Sequence, residues 1–306
     1  MATTPADQPN GPSHGAPDGA VVVGIDGREQ DRATLTWAAR EALSRNAPVH
    51  IISAIDMDLP LLSSGEAVPL AMVEEQLQVD LGRRLQEAAE QVRASAPGTA
   101  VSAYSASGKA SSVLLAAGET AALIVLGSAS AGRLQRIFLG STSTAVVGLA
   151  ACPVVVVGAA PPETGDVVAA FDGSAPALAA LEYAAASAAR IGVGLRVVSV
   201  WFLEVVDGIV AADPESPQFA SVQQRYGAKV EAAVAPLRAR YADLVITAVV
   251  RQGRAVDVLT EESRTAQLLV CGRRGRGLAA TLLGSVSRKL LQSAEVPVAV
   301  VRGPQD

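Results

Sequence analysis

The chain has 306 residues, half of them apolar, with 18% charged residues and a mean hydropathy of +0.32. That composition excludes a disordered polyelectrolyte and suits two domains of ordinary size, each with a core of its own. Thirty acidic against 25 basic side chains, with aromatics at 3%, argue against nucleic acid as a partner, which asks for a basic face or stacking platforms.

Residues 1–18 carry four prolines and no Val, Ile, Leu or aromatic residue. They lack the basic start and apolar stretch of a secretion signal, so they read as a disordered tail and the protein as cytoplasmic. The first strand is expected near 20–25 and ends on Asp26-Gly27. The helical segment DRATLTWAAREAL follows, with apolar residues at i, i+3, i+4 and i+7. Further strands are expected near 48–54, 99–105, 122–126 and 153–157. Segments 57–71 and 202–217, which follow the second strand of each copy, are long for βα loops and read either as flaps over the crevices or as surface insertions. Ser107-Gly108-Lys109-Ala110 has the look of a P-loop, but Ala103 stands where its first glycine belongs and Ala110 replaces the magnesium-binding hydroxyl.

After the fourth strand comes GSASAGRLQRIFLGSTS (127–143), a glycine-bearing turn that leads into a helix at Gly140-Ser141. Residues 145–162 run without a charge, long enough to raise the question of a membrane span. Pro153 and the glycines at 148 and 158 break that run into a helix, a turn and a short buried strand, so no membrane contact is expected. AAPPETG (159–165) reads as a linker.

The second half repeats the first. Its strands are expected near 167–171, 194–200, 244–250, 267–271 and 297–301. VVAAFDG (167–173) matches VVVGIDG (21–27), QLLVCGR matches ALIVLGS, and LGSVSRKLLQSAEVPVAVVR matches LGSTSTAVVGLAACPVVVVG. The offset stays near 145 residues throughout, 146 from Asp26 to Asp172 and 144 from Gly140 to Gly284, which indicates a duplicated domain. The organisation expected is a tail (1–18), one copy (19–158), a linker (159–165) and a second copy (166–306). Apolar strands alternating with helices imply an α/β fold: two tandem doubly wound parallel sheets of five strands each, in the order 3-2-1-4-5.

In such sheets ligands bind at the carboxyl ends of the strands where the winding reverses, here between the first and fourth strands. That places Asp26 and Asp172 across a crevice from the glycine turns. Gly140-Ser141 and Gly284-Ser285 open helices whose free amides suit a phosphate, and the serines are placed either to cap those helices or to donate a hydroxyl.

The combination of DG after the first strand, G-x2-G-x9-G-[ST] after the fourth, and a final CPV-type strand resembles the universal stress protein family in tandem form, over about residues 20–303. The resemblance implies an adenine nucleotide alpha hydrolase-like fold and binding of ATP or a related adenine nucleotide, with or without Mg2+. It implies a stress-response regulator, and the sparse catalytic side chains, with histidines only at 14 and 50, add the expectation of slow ATP hydrolysis at most and no enzyme. Carried over by position, Asp26 and Asp172, with Gly27 and Gly173 beside them, contact the adenosine. Gly127, Gly140 and Ser141 in one copy, and Gly272, Gly275, Gly284 and Ser285 in the other, hold ribose and phosphates. The resemblance also implies that the exposed last strands, VVVVG and VAVVR, pair with one another within the chain, with a homodimer as the further assembly.

Each copy departs from the motif once. Ser130 replaces the second glycine of the first copy, where a Cβ disfavours positive φ, and the second copy's spacer (276–283) has eight residues. Arg273, Arg274 and Arg276 add charge beside the second glycine turn, as phosphate ligands or as a solvated loop. These departures keep an alternative open: an interaction or dimerisation module whose nucleotide sites have decayed. His14 and His50 are the only histidines, no metal cluster is visible, and Cys152 and Cys271 sit in apolar runs as buried hydrophobes.

Overall fold

The computed structural model describes residues 16–28, 31–55, 70–130, 137–158, 160–206, 208–210, 213–274 and 283–304. In the first copy the elements are β1 (Val21–Gly24), α1 (Asp31–Arg45), β2 (Val49–Ile55), α2 (Leu70–Ser95), β3 (Val101–Ser107), α3 (Ala110–Ala117), β4 (Leu123–Gly127), a hairpin of β5 (Ala129–Ser130) and β6 (Ile137–Phe138), α4 (Ser141–Leu149) and β7 (Val154–Val157). The second copy has β8 (Val167–Ala170), α5 (Ala175–Ile191), β9 (Leu195–Trp201), a hairpin of β10 (Val205–Val206) and β11 (Ile209–Val210), α6 (Pro217–Arg240), β12 (Ile246–Gln252), α7 (Ala255–Ser263), β13 (Leu268–Gly272), α8 (Ser285–Ser293) and β14 (Val298–Val301). The ten long strands lie within two residues of their expected positions.

All ten join one sheet in the order β12-β9-β8-β13-β14-β7-β4-β1-β2-β3. Each half therefore has the 3-2-1-4-5 order. The strands are parallel within a half, and the halves meet antiparallel through β7 and β14, with Val156 opposite Val298 and Val154 opposite Val300. The pairing expected of the last strands thus forms within this chain and removes both apolar edges that they would expose.

Alternation along the strands supplies both faces of the sheet. Val21 and Val23 pack with Leu35 and Ala38 of α1 on one side, whereas Val22 packs with Leu114 and Val146 of α3 and α4 on the other. Both core layers run on into the second copy, where α5 and α6 cover one face and α7 and α8 the other. The copies are also tied by a polar cluster. Buried Glu41 of α1 accepts from Arg45 Nε at 2.6 Å and from Arg190 Nη2 of α5 at 2.7 Å, and Arg45 donates to the Tyr183 hydroxyl at 3.2 Å.

Three expectations change. Residues 16–18 already join the fold: Ala16 is buried, and its carbonyl accepts from the Thr120 hydroxyl at 3.0 Å. Ser130 needs no positive φ, because it lies in the short β5 strand opposite Ile137, and Asn46 is the one non-glycine residue with positive φ among the described residues. The described residues of the insertion after β9 form a surface hairpin and line neither crevice, with Val205, Ile209 and Val210 exposed. Its counterpart at 57–69 lies outside the described residues.

Candidate nucleotide site

The sheet order sets β1 against β4 and β8 against β13, so the two first-strand ends and the two glycine turns open onto shared crevices. The first crevice is a cavity of about 290 Å³ walled by Asp26 on one lip and by Gly127, Gly140 and Ser141 on the other. The second, of about 470 Å³, is walled by Asp172 opposite Gly272, Gly284 and Ser285. The walls match position by position: Ile25, Ile52, Ala54 and Leu114 correspond to Phe171, Val198, Val200 and Leu259. Of the remaining expected residues, Gly27 and Gly173 stand behind the acids and not in the walls, and Gly275 lies outside the described residues.

Those two glycines have a local reason. Gly27 and Gly173 have φ of +82° and +81°, the left-handed turn that swings the chain off the strand end and into α1 or α5. The aspartates brace the turn. Asp26 Oδ1 accepts from Arg28 N at 3.2 Å, and Asp172 Oδ1 accepts from Ser174 N at 2.9 Å. Gly127 and Gly272 let a helix approach closely: a Cβ at Gly272 would stand 2.8 Å from the Pro176 carbonyl carbon, and one at Gly127 3.0 Å from Thr34 Oγ1.

At the other lip Gly140 and Gly284 are themselves the helix caps, with φ near −65° and no side-chain cap. Ser141 and Ser285 are the first helical residues and do not cap. The first-turn amides of α4 and α8 have no partner within their helices, and the residues that carry them, Ser141–Ser143 and Ser285–Ser287, line the cavities. Ser128, beside Gly127, is 3% exposed, and its hydroxyl is buried with no hydrogen-bond partner.

Sequence reasoning missed several residues. Asp31 lines the first crevice, and its Oδ2 accepts from Gly27 N at 2.7 Å and Arg28 N at 3.1 Å. Burial pushes its carboxyl up to about 6 and neighbouring Asp26 adds to the rise, against the pull of the amide donors. Arg28 pairs with Asp26 at 3.1 Å, and Arg288 lines the second crevice. Of the three arginines expected beside the second turn, Arg274 lines the cavity. Arg273 turns away and donates from Nη1 to the Gly148 carbonyl of α4, 2.9 Å across the junction between the copies, where a helix C-terminus favours a cation. Arg276 lies outside the described residues.

The thiols match their expected burial: Cys152 is pushed up to about 11 and Cys271 to about 12 by desolvation. His50 is buried at the start of β2, its Nδ1 2.8 Å from the Ser102 hydroxyl, and it lines neither crevice. Among the described residues no helix is long and apolar enough to cross a membrane, and no group of three or more His, Cys, Asp or Glu side chains gathers around a metal position.

The model of the universal stress protein family matches residues 19–158 and again 164–302. A universal stress protein of Mycolicibacterium smegmatis is 32% identical over 291 residues, covering 92% of this chain and 96% of that relative. One of Mycobacterium tuberculosis is 32% identical over 293 residues with the same coverage. The crystal structure of a universal stress protein from Archaeoglobus fulgidus superposes with a TM-score of 0.67 at 19% identity, over 92% of this chain and 98% of that one, a likeness of fold.

Proposed function

Because the chain belongs to the universal stress protein family, we propose that it binds ATP or a related adenine nucleotide in its two crevices and acts as a stress-response regulator by occupancy, not by turnover. One observation carries this: in both copies an acid at the end of the first strand and the amides of a Gly-Ser helix start wall one cavity. The cavities lie at or near the volume range of small-molecule sites, about 300–1,000 Å³. Asp26 and Asp172 are placed to accept from ribose hydroxyls or the base. The apolar rows Ile25-Ile52-Leu114 and Phe171-Val198-Leu259 suit the flat adenine, and the α4 and α8 amides with the adjacent serines suit phosphate oxygens. A magnesium ion would come with the phosphates, since the protein gathers no ligand set for it among the described residues. The copies are taken as 19–158 and 166–306.

Turnover needs a placed base and an oriented water. Asp31, a wall acid raised toward neutrality by burial, is held by two backbone amides. That arrangement braces a turn and leaves slow hydrolysis as the most the site would support. Equilibrium dialysis of the full chain against millimolar ATP and AMP tests the proposal. Retained nucleotide, together with a rise in melting temperature that grows with ligand concentration, is expected. Neither retention nor a shift would leave the decayed-site alternative, an interaction module, as the function.

A further inference from the structure

The two crevices differ at matched positions in a way that moves charge. Asp31 in the first wall corresponds to Ala177 in the second, Arg28 corresponds to Ser174, and Thr144 of α4 corresponds to Arg288 of α8, by the repeat offsets. Counted over the described residues, two carboxylates (Asp26, Asp31) and one guanidinium (Arg28) wall the first crevice, and that guanidinium is paired to Asp26. One carboxylate (Asp172) and two guanidiniums (Arg274, Arg288) wall the second.

Behind the second wall stand two more cations. Arg302 and Arg274 both lie close enough to Arg273 to repel it, and burial, the larger cause, together with that repulsion lowers the Arg273 guanidinium. None of Arg273, Arg274, Arg288 and Arg302 pairs with a carboxylate among the described residues, whereas ten other arginines do. Arg288 makes only a 3.4 Å contact to the Leu283 carbonyl. Two guanidiniums without a carboxylate partner among the described residues, Arg274 and Arg288, thus stand at the phosphate end of the second crevice. The second cavity is also the roomier, about 470 against 290 Å³.

Building on the adenine-nucleotide reading, we infer that the crevices are divided by ligand charge: the second takes a nucleoside di- or triphosphate, held at its polyphosphate by Arg274 and Arg288, and the first takes a nucleoside monophosphate or cyclic monophosphate. Guanidinium groups make charge-assisted, often bidentate bonds to phosphate oxygens, so each added phosphate gains a partner in the second crevice. In the first, the described residues at the phosphate lip offer amides and hydroxyls, Gly140 and Ser141–Ser143, and no guanidinium, while Asp26 and Asp31 on the facing lip add negative charge to the crevice. The unpartnered Ser128 hydroxyl supplies one neutral donor there, where the second copy has Arg273 turned outward.

Isothermal titration of the full chain with ATP and with AMP, on wild type, Arg274→Ala/Arg288→Ala and Ser285→Glu, tests the division. Wild type is expected to show one tight ATP site and one site that takes AMP at least as well as ATP. The double alanine variant is expected to weaken tight ATP binding about 100-fold, about tenfold for each charge-assisted contact, and AMP binding far less. Ser285→Glu, which sets a carboxylate at the α8 amides, is expected to remove the tight ATP site alone. Tight ATP binding should also fall more steeply with added salt than AMP binding. Two equal ATP sites in wild type, or tight ATP binding that survives both variants, would overturn the division while the nucleotide reading stands. No binding of either nucleotide would overturn both.

Discussion

Asp31 offers a quantitative test of the first crevice through replacement by asparagine. Its carboxyl ordinarily titrates at 3.8 and is pushed up to about 6 in the folded chain, chiefly by burial. The folded state therefore holds the proton more tightly than the unfolded state. Its stabilising contribution is complete below pH 3.8 and is lost as pH rises through about 6. The full gap is worth about 3 kcal/mol at 1.36 kcal/mol per pH unit, of which about 2 kcal/mol falls between pH 4 and pH 7. An asparagine side chain has no such proton, yet its amide oxygen can still accept from Gly27 N and Arg28 N. Urea unfolding of wild type and Asp31→Asn at pH 4, 5, 6 and 7 isolates this contribution, because every other titrating group cancels in the difference. The variant should gain on wild type by about 2 kcal/mol from pH 4 to pH 7, most of it between pH 4 and pH 6 with the change centred near pH 5. A difference that stays flat to within about 0.5 kcal/mol would refute the burial argument, and with it the picture of Asp31 as a desolvated wall residue held by the turn.

The remaining predictions probe the junction and the glycines. Glu41→Ala leaves Arg45 and Arg190 facing each other without their shared carboxylate, and unfolding stability should fall by about 3 kcal/mol; a loss below about 1 kcal/mol would mean solvent already screens the cluster. At Gly140, φ is −65° and a Cβ meets nothing within 4 Å, so Gly140→Ala should leave the melting temperature unchanged and any effect should appear in ligand affinity alone. Gly272→Val should instead cost about 1–3 kcal/mol or more, since its Cβ would stand 2.8 Å from the Pro176 backbone; wild-type stability there would show that α5 can shift away from β13.

The architecture was legible because it rests on local signals. Runs such as VVVV (154–157) and LLVCG (268–272) are apolar on both faces, and the repeat offset fixed their correspondence between copies. The acid and the glycine turn shared a crevice because strand order alone dictates it. What escaped were contacts between residues far apart in sequence or with ordinary local roles. Asp31 reads as a normal first-turn helix acid, and only its burial beside Asp26 distinguishes it. Arg273 reads as a phosphate ligand or as part of a solvated loop, but its partner is a carbonyl 125 residues away in the other copy. Glu41 and Arg190, 149 residues apart, sit on two helices whose faces meet only once β7 and β14 have paired. The serines after Gly140 and Gly284 read as caps by residue preference, but the caps fall one residue earlier, on the glycines, and the helices begin on the serines.

The most direct test of the central claim is a crystal structure of the full chain grown with saturating ATP and AMP. Nucleotide density should lie between Asp26 and the Gly140-Ser141 amides in one crevice and between Asp172 and the Gly284-Ser285 amides in the other. Empty crevices under those conditions, or nucleotide seated elsewhere on the sheet, would contradict it.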